Sequence, residues 1–292
     1  MEISYQRIKL LTSMPRAILY KHLERNRLPA FLRVRFAVLA HEITHGKKMD
    51  IHHPTAFQEK ILWYTLSYQH PDLSRIVDKY RFKQYIAEKL GSGHTVPMLG
   101  AWDSVEAFKR DWDKLPEEFC LKSTLQCAGE GIRIIHHKSD EDLEEICEFV
   151  RHYLDPKHTL INSYFSAYYD ATPMMIAEKL VKPAAAHPLD YKIFCFSGVP
   201  YIISFHNSSW EKMDTFFDRH PNGLLPRPVH FEEMRTLAET LSKEFPYVRV
   251  DFFDTSEKLY VAELTFNTGV GNMAKQPEAF YLGLGDLLIL PE

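Results

Sequence analysis

Apolar positions recur at helical spacing as far as about residue 91, and beyond it they gather into short runs that alternate with polar residues. The first part reads as a series of helices. Pro15 suits a helix start, and a mixed apolar pattern follows it through Leu23. A second helix fits residues 30–45, with Gly46 as its stop. A third begins at Thr55, where Thr55-x-x-Gln58 forms a capping box ahead of Ile61, Leu62 and Leu66. A fourth runs from about Ser74 to Gly91.

The second part predicts strands at 119–123 and 132–136, a helix opening at Ser139, and strands at 174–181, 190–197 and 200–206. Gly198 supplies the turn between the last two. Residues 207–230 read as a loop, 231–243 as a helix, and 247–253 and 259–265 as a final pair of strands. Hairpins are prominent, which favours an α+β fold over a doubly wound sheet. The organisation is a helical region over 1–75 and an α+β domain over 76–292, whose halves meet near residues 180 and 181.

The strongest local chemistry lies in YVRVDFFDTSEKLYVAELTFNTGVGN. Alternation puts Val248, Val250 and Phe252 on one face of the first strand and Arg249 and Asp251 on the other. On the second strand, Leu259, Val261, Glu263 and Thr265 share a face. A tight turn over Ser256, Glu257 and Lys258 brings Asp251 opposite Glu263. Facing carboxylates repel, unless a divalent cation sits between them or Arg249 neutralises a solvent-facing pair. Upstream, a strand delivers Lys122 just ahead of a loop containing Gly129 and Gly131. An ammonium beside backbone N–H groups can hold a triphosphate, although two glycines between strands more commonly form only a turn. No Gly-Lys pair exists, so this is not a Walker loop.

Other motifs compete for attention. His41-Glu42-x-x-His45 has the zinc metallopeptidase spacing on a predicted helix, and His52, His53 or Glu59 could be sought as a third ligand. With 15 histidines in the chain, coincidence is the better reading. His136 and His137 are adjacent on a strand and so point to opposite faces. The polar stretch His206-Asn207-Ser208-Ser209-Trp210, with Arg219, reads as a surface loop or as part of an acceptor site.

Composition narrows the classes. A chain of 292 residues can bury a substantial core. A formal charge of -4 and scattered Lys and Arg argue against a nucleic-acid partner. Cys120, Cys127, Cys147 and Cys195 match no zinc knuckle or redox pair and read as reduced thiols of a cytoplasmic protein. The N-terminal apolar runs are too short for a signal peptide or an integral membrane segment.

The stretches HPTAFQEKILW, VDKYRFKQYIAEKLG, EEFCLKSTLQCAGEG, MMIAEKLV, DYKIFCFSG, FPYVRVDFFD and VAELTFNTGVG, in this order over about residues 54–272, resemble the TupA-like branch of the ATP-grasp superfamily. That branch is named for a protein of teichuronopeptide synthesis. The resemblance implies an ATP-grasp fold, with a nucleotide-covering subdomain over about 76–180 and a metal and catalytic subdomain over about 181–292. It implies that Lys79 and Lys122 contact ATP, that the loop from Gln126 through Gly129 to Gly131 covers the phosphates, and that Glu178, Lys179 and Val181 form the adenine hinge. It places Asp190 and Lys192 at ribose or γ-phosphate contacts, Asp251 and Glu263 on Mg2+, and Arg249 beside the reacting acyl phosphate. Many ATP-grasp proteins carry Asn two residues after the metal Glu; here that place holds Thr265, and Asn267 follows two residues later.

The reaction so implied is ADP-forming ligation of a carboxylate to an amine. The acid would be a uronic-acid-containing surface polysaccharide or its precursor and the amine an amino acid, in association with polysaccharide assembly enzymes. A kinase acting on a glycan hydroxyl and a non-catalytic nucleotide-binding subunit are the alternatives.

Overall fold

The computed structural model describes residues 30–126, 129–156, 158, 166–168, 171–183, 190–205, 209–212, 228–268 and 278–291. They fall into two units. The first takes in the described residues up to Gln69, residues 166–168 and the chain from Phe266 onward; the second takes in those of His70–Ile161 and Asp170–Thr265.

The first unit holds helices α1 (Ala30–His45) and α2 (Phe57–Ser67) and the C-terminal α8 (Glu278–Leu287). Gly46 ends α1 at φ +69, a backbone state that suits only glycine without strain. The capping box expected at Thr55 and Gln58 forms one residue later. Ala56 is the N-cap, and the Glu59 carboxylate accepts from the backbone N–H of Ala56 and of Thr55. A carboxylate reaches back to those amides with charge, which the Gln58 amide lacks. Helix α8 lies against α2, with Gly285 so close that an added Cβ would come within 2.1 Å of the Thr55 carbonyl oxygen. Lys60 donates to the Gly285 and Leu288 carbonyls there, taking up acceptors at the helix end. The helix expected after Pro15 lies outside the described residues.

The second unit opens with a break. The helix expected from Ser74 to Gly91 divides into α3 (Leu73–Ile76) and α4 (Lys79–Leu90). Asp78 stands between them in an extended conformation, and its carboxylate accepts from the N–H groups of Tyr80 and Arg81. A buried N-cap aspartate of this kind starts a new helix, where an uncapped residue would have let the first continue.

Two antiparallel sheets follow. The first comprises β1 (Met98–Trp102), β2 (Phe119–Ser123), β3 (Ile132–Ile135) and β4 (Met175–Lys179), in the order β1-β4-β2-β3. Helices α5 (Val105–Asp111) and α6 (Leu143–Leu154) cover one face. There Phe108, Phe119, Leu121, Ile146, Val150 and Met175 are fully buried, each removing enough apolar surface from water for about 1.5–3 kcal/mol. The α6 helix starts at Leu143 rather than Ser139, because Asp142 caps it and residues 138–140 form a 3-10 turn. β1 and α5 had no sequence forecast: MLGAW does not alternate, and α5 is under two full turns.

The second sheet runs β7-β6-β5-β8-β9, from β5 (Asp190–Phe196), β6 (Val199–Phe205), β7 (Ser209–Lys212), β8 (Tyr247–Asp254) and β9 (Leu259–Thr265). β7 is an edge strand inside the segment expected to be loop throughout. Helix α7 (Phe231–Ser242) covers one face through Phe231, Met234, Ala238 and Leu241, against Ile193, Cys195, Val248 and Val250. Ser197 and Gly198, both at positive φ, make the expected turn between β5 and β6.

One register feature corrects the face reading of β9. Asp251 pairs with Glu263, but the next residue, Phe252, pairs with Val261, so Ala262 is an unpaired bulge residue. Leu259 and Val261 therefore lie with Phe252 on the buried face, while Glu263 and Thr265 lie with Asp251 and Arg249 on the other. Strict alternation would have put all four β9 residues on one side; the bulge turns the chain over where its chemistry changes from apolar to acidic.

Candidate active site

The face of the second sheet away from α7 carries the chemistry. Register aligns three charged residues in one row across β5, β8 and β9, namely Lys192, Asp251 and Glu263. The adjoining row holds Phe194, Arg249 and Thr265, and on the other side Asp190 pairs with Phe253. Regular antiparallel pairing puts each row on one face.

Arg249 grips Asp251 through both oxygens: Nε donates to Oδ1 at 2.6 Å and Nη2 to Oδ2 at 2.5 Å. Nη2 also donates to Thr265 Oγ1 at 3.1 Å, and that hydroxyl donates to Glu263 Oε1 at 2.9 Å. Lys192 is buried and ion-paired with Asp190. Burial pushes the Asp251 carboxyl up to about 7 against the pull of Arg249, and the facing Glu263 charge adds to the rise. Burial acts the same way on Glu263, but Lys79, Arg249, the Thr265 hydroxyl and Lys192 outweigh it and hold its carboxyl below the usual range.

The first sheet and α4 contribute further cations. Lys122 on β2 and Glu178 on β4 lie on the face away from α5 and α6, and Lys122 Nζ is 2.5 Å from Glu178 Oε2. Lys83, one turn after Lys79 on α4, reaches Glu178 Oε1 at 2.5 Å. Burial alone would push the Glu178 carboxyl up; the two ammoniums overcome this and keep it ionised. Lys122 also lies 5.4 Å from the centre of the Phe253 ring, so the β2 cation stands over the acidic sheet. Lys79 donates to the Gln126 carbonyl, and its backbone N–H to the Thr124 carbonyl.

Gln126 is buried, and its side chain donates to the His158 carbonyl at 2.9 Å. Gly129 and Gly131 both have positive φ. At Gly131 an added Cβ would meet Gln126 Cγ at 2.8 Å and Ser123 Cβ at 2.9 Å, so Gly131 lies tightly against the end of β2. The Lys179 N–H is used by the Pro97 carbonyl at 2.9 Å, and Val181 follows β4, half-buried. Asn267 lies two residues past β9 and belongs to the first unit.

The structure thus brings together Arg249, Asp251, Glu263 and Thr265 in one hydrogen-bonded set, with Lys192 and Asp190 beside it. Lys122 and Glu178 form a second set. Lys83 was missed by sequence reasoning, although its i, i+4 spacing from Lys79 on a helix was there to be seen.

The metallopeptidase motif does not assemble. His41 and His45 lie one turn apart on α1, with ring centres 4.3 Å apart. Glu42, the would-be base, accepts the Met49 N–H at 3.0 Å. Among the described residues no three His, Cys, Asp or Glu side chains converge to hold a metal. His52 and His53 are exposed beside Asp50. His136 and His137 lie past the end of β3 and are exposed. His206, Asn207, Ser208 and Arg219 lie outside the described residues. Cys120, Cys147 and Cys195 are buried free thiols, and no described helix is long and apolar enough to cross a membrane.

The donor set nevertheless fits a hard divalent cation held jointly with phosphate oxygens. Magnesium takes one or two carboxylates and leaves the rest of its shell to phosphate and water. Asp251 and Glu263 supply that pair in register, and the upward push on Asp251 is the electrostatic penalty a cation removes.

Ammonium groups from β2 and α4 and the carboxylate pair of β8 and β9 are the parts of this site. The profile of the TupA-like ATP-grasp family matches residues 59–289, most of the chain, and the chain belongs to that family. No curated protein matches it. Similar solved structures include D-alanine-D-alanine ligase from Helicobacter pylori, at 15% identity and a TM-score of 0.47, covering 73% of this chain and 61% of that one. Phosphoribosylamine–glycine ligase from Thermotoga maritima is similar at 13% identity and a TM-score of 0.44, covering 69% of this chain and 51% of that one. D-cycloserine synthetase DcsG is similar at 14% identity and a TM-score of 0.44, covering 89% and 80%. The chain therefore spans less than two thirds of the length of the first two.

Proposed function

We propose that the protein is an ATP-dependent ligase that joins a carboxylate to an amine through an acyl phosphate. The observation that carries this reading is the row Lys192, Asp251 and Glu263, with Arg249 held against Asp251 beside it. It is a largely buried set of opposite charges with no Ser, Cys or His among them. Such a site suits phosphoryl transfer, where catalysis is positioning and charge neutralisation.

In the proposed reaction a substrate carboxylate oxygen attacks the γ-phosphorus of ATP and ADP leaves. An amine then adds to the acyl carbon; the C–O bond to phosphate breaks, and an amide, phosphate and a proton are released. Lys122 and Lys79 bind phosphate oxygens, and Gln126 with Gly129 and Gly131 shapes the loop over them. The hinge after β4, with Glu178, Lys179 and Val181, takes the adenine end. Asp190 orients Lys192, whose ammonium faces the transferred group. Arg249, pinned by Asp251, offers guanidinium charge to the oxyanion that forms as the amine adds. Asp251 and Glu263 would hold magnesium, with Thr265 and Asn267 as the further oxygen donors to test; bound there, the ion supplies charge neutralisation between the phosphates.

Family membership supports a uronic-acid-bearing glycan or its precursor as the acid and an amino acid as the amine. The test is ADP release by the full-length protein with MgATP across panels of uronic acids and amino acids. Oxygen-18 placed in the acid carboxylate should appear in the released phosphate, and turnover should need both substrates. A phosphorylated glycan made without amine would point to a kinase, and nucleotide binding with no ADP on any panel would point to a binding subunit. Either outcome overturns the ligase assignment.

A further inference from the structure

Glu178 is held by two lysines that are not equivalent. Lys83 Nζ lies 2.5 Å from Oε1 and also donates to the Val96 carbonyl at 2.6 Å, so its ammonium is fixed between two oxygens. Lys122 Nζ lies 2.5 Å from Oε2 and over the face of the Phe253 ring, with no hydrogen bond to a carbonyl among the described residues. All three charged side chains are nearly buried, with 12%, 14% and 8% of the Lys83, Lys122 and Glu178 side chains exposed. Within this trio one carboxylate faces two ammoniums, and although Glu263 also attracts Lys122, the trio itself carries an excess positive charge where water cannot dissipate it. An anion is what that excess calls for, and only the less anchored cation can turn to meet it. Were Lys122 the sole partner of Glu178, its departure would strand a buried carboxylate, which is strongly unfavourable.

We propose that Lys83 is a positioning residue of the nucleotide site: it keeps Glu178 paired, so that Lys122 can turn from Glu178 to a nucleotide phosphate. This rests on the reading of the site as an ATP site. Lys83 itself does not touch the nucleotide. Its effect passes through Glu178 and must vanish when that carboxylate is removed.

The experiment is calorimetric titration of the full-length protein with MgADP, using Lys83→Met, Lys83→Arg, Glu178→Gln, the Lys83→Met/Glu178→Gln double variant and Lys122→Met. Lys83→Met should weaken binding by about tenfold or more, the loss of one charge-assisted contact. Lys83→Arg, which keeps the charge, should bind close to wild type. In the Glu178→Gln background Lys83→Met should change affinity by less than about threefold, because nothing is left for Lys122 to abandon. Equal losses in both backgrounds overturn the proposal, as does an unaffected Lys83→Met or a Lys83→Arg as weak as Lys83→Met. Should Lys83→Met not fold by circular dichroism, the double variant against Glu178→Gln carries the comparison: equal affinities support the relay and a tenfold loss sinks it. Failure of the wild-type protein to bind MgADP removes the ATP reading itself; binding lost in Lys122→Met but kept in Lys83→Met removes only the role of Lys83.

Discussion

His41 offers a test of the first unit that also settles what its histidines are for. The residue is 7% exposed on α1, and its Nδ1 has no hydrogen-bond partner among the described residues. Burial, and then the nearby His45, lower its pKa from 6.5 to about 4, against an opposing pull from Glu59. Above pH 6.5 the ring is neutral whether folded or unfolded, and protonation costs no stability. Between 6.5 and 4 the unfolded chain takes up a proton that the folded chain refuses, so stability falls as the pH falls. A gap of that size corresponds to about 3 kcal/mol, and solvent screening near the surface brings it to about 2 kcal/mol. The perturbation is His41→Leu, which fills much of the same space and cannot titrate. Chemical unfolding of both proteins at pH 7.5, 6, 5 and 4.5 should show the variant gaining on wild type by about 2 kcal/mol toward the acid end. Parallel curves would refute the linkage. A zinc site would behave differently: a chelator at pH 7.5 would destabilise the wild type, whereas paired neutral imidazoles predict no effect.

Three further outcomes follow from the site. Asp251, pushed up to about 7, must lose its proton before it can hold a cation, so MgADP affinity should rise as the pH goes from 6 to 8. Calorimetry across that range should show the rise in wild type and a flat profile in Asp251→Asn. Asp251→Asn should also lower stability by about 3 kcal/mol in denaturant melts, because Arg249 is left as a buried charge without its carboxylate. Gly131→Ala should weaken MgADP binding and open the loop to limited proteolysis, since φ +69 alone costs about 1 kcal/mol with a side chain and its Cβ would collide with Gln126 and Ser123; unchanged affinity and cleavage would show that the loop geometry is immaterial.

How much of this was legible in the sequence depends on which interactions set each feature. Strands β8 and β9 and the opposition of Asp251 to Glu263 could be read, because a short turn fixes register and register is local. The bulge at Ala262 could not, because nothing in VAELT distinguishes a bulged strand from a regular one; its position reflects the sheet on one side and the charges on the other. The end of the C-terminal helix against Lys60 was hidden for a different reason: a glycine in a helix looks like a weakness until the backbone lying against it is seen. Lys83 was obscured by its own commonness, since a lysine on an amphipathic helix is ordinarily solvated, and only β4 reveals the carboxylate that it meets.

These cases share a direction. The Gly198 turn and the pairing of Asp251 with Glu263 were open to inspection, the local caps at Asp78 and Asp142 were overlooked, and contacts with a partner far away in sequence could not be read at all. The site mixes the two kinds. Its carboxylates are a local pair on one hairpin, but the Glu178 clamp takes its lysines from α4 and β2 and its carboxylate from β4, and so exists only when those three elements are in place. Unfolding of either sheet would therefore disarm different chemistry: loss of β9 removes Glu263, the proposed cation ligand, and loss of β4 leaves two buried lysines repelling each other. Protection of the β4 amides against hydrogen exchange should accordingly rise on MgADP binding, because a phosphate drawn to Lys122 relieves the excess charge around Glu178.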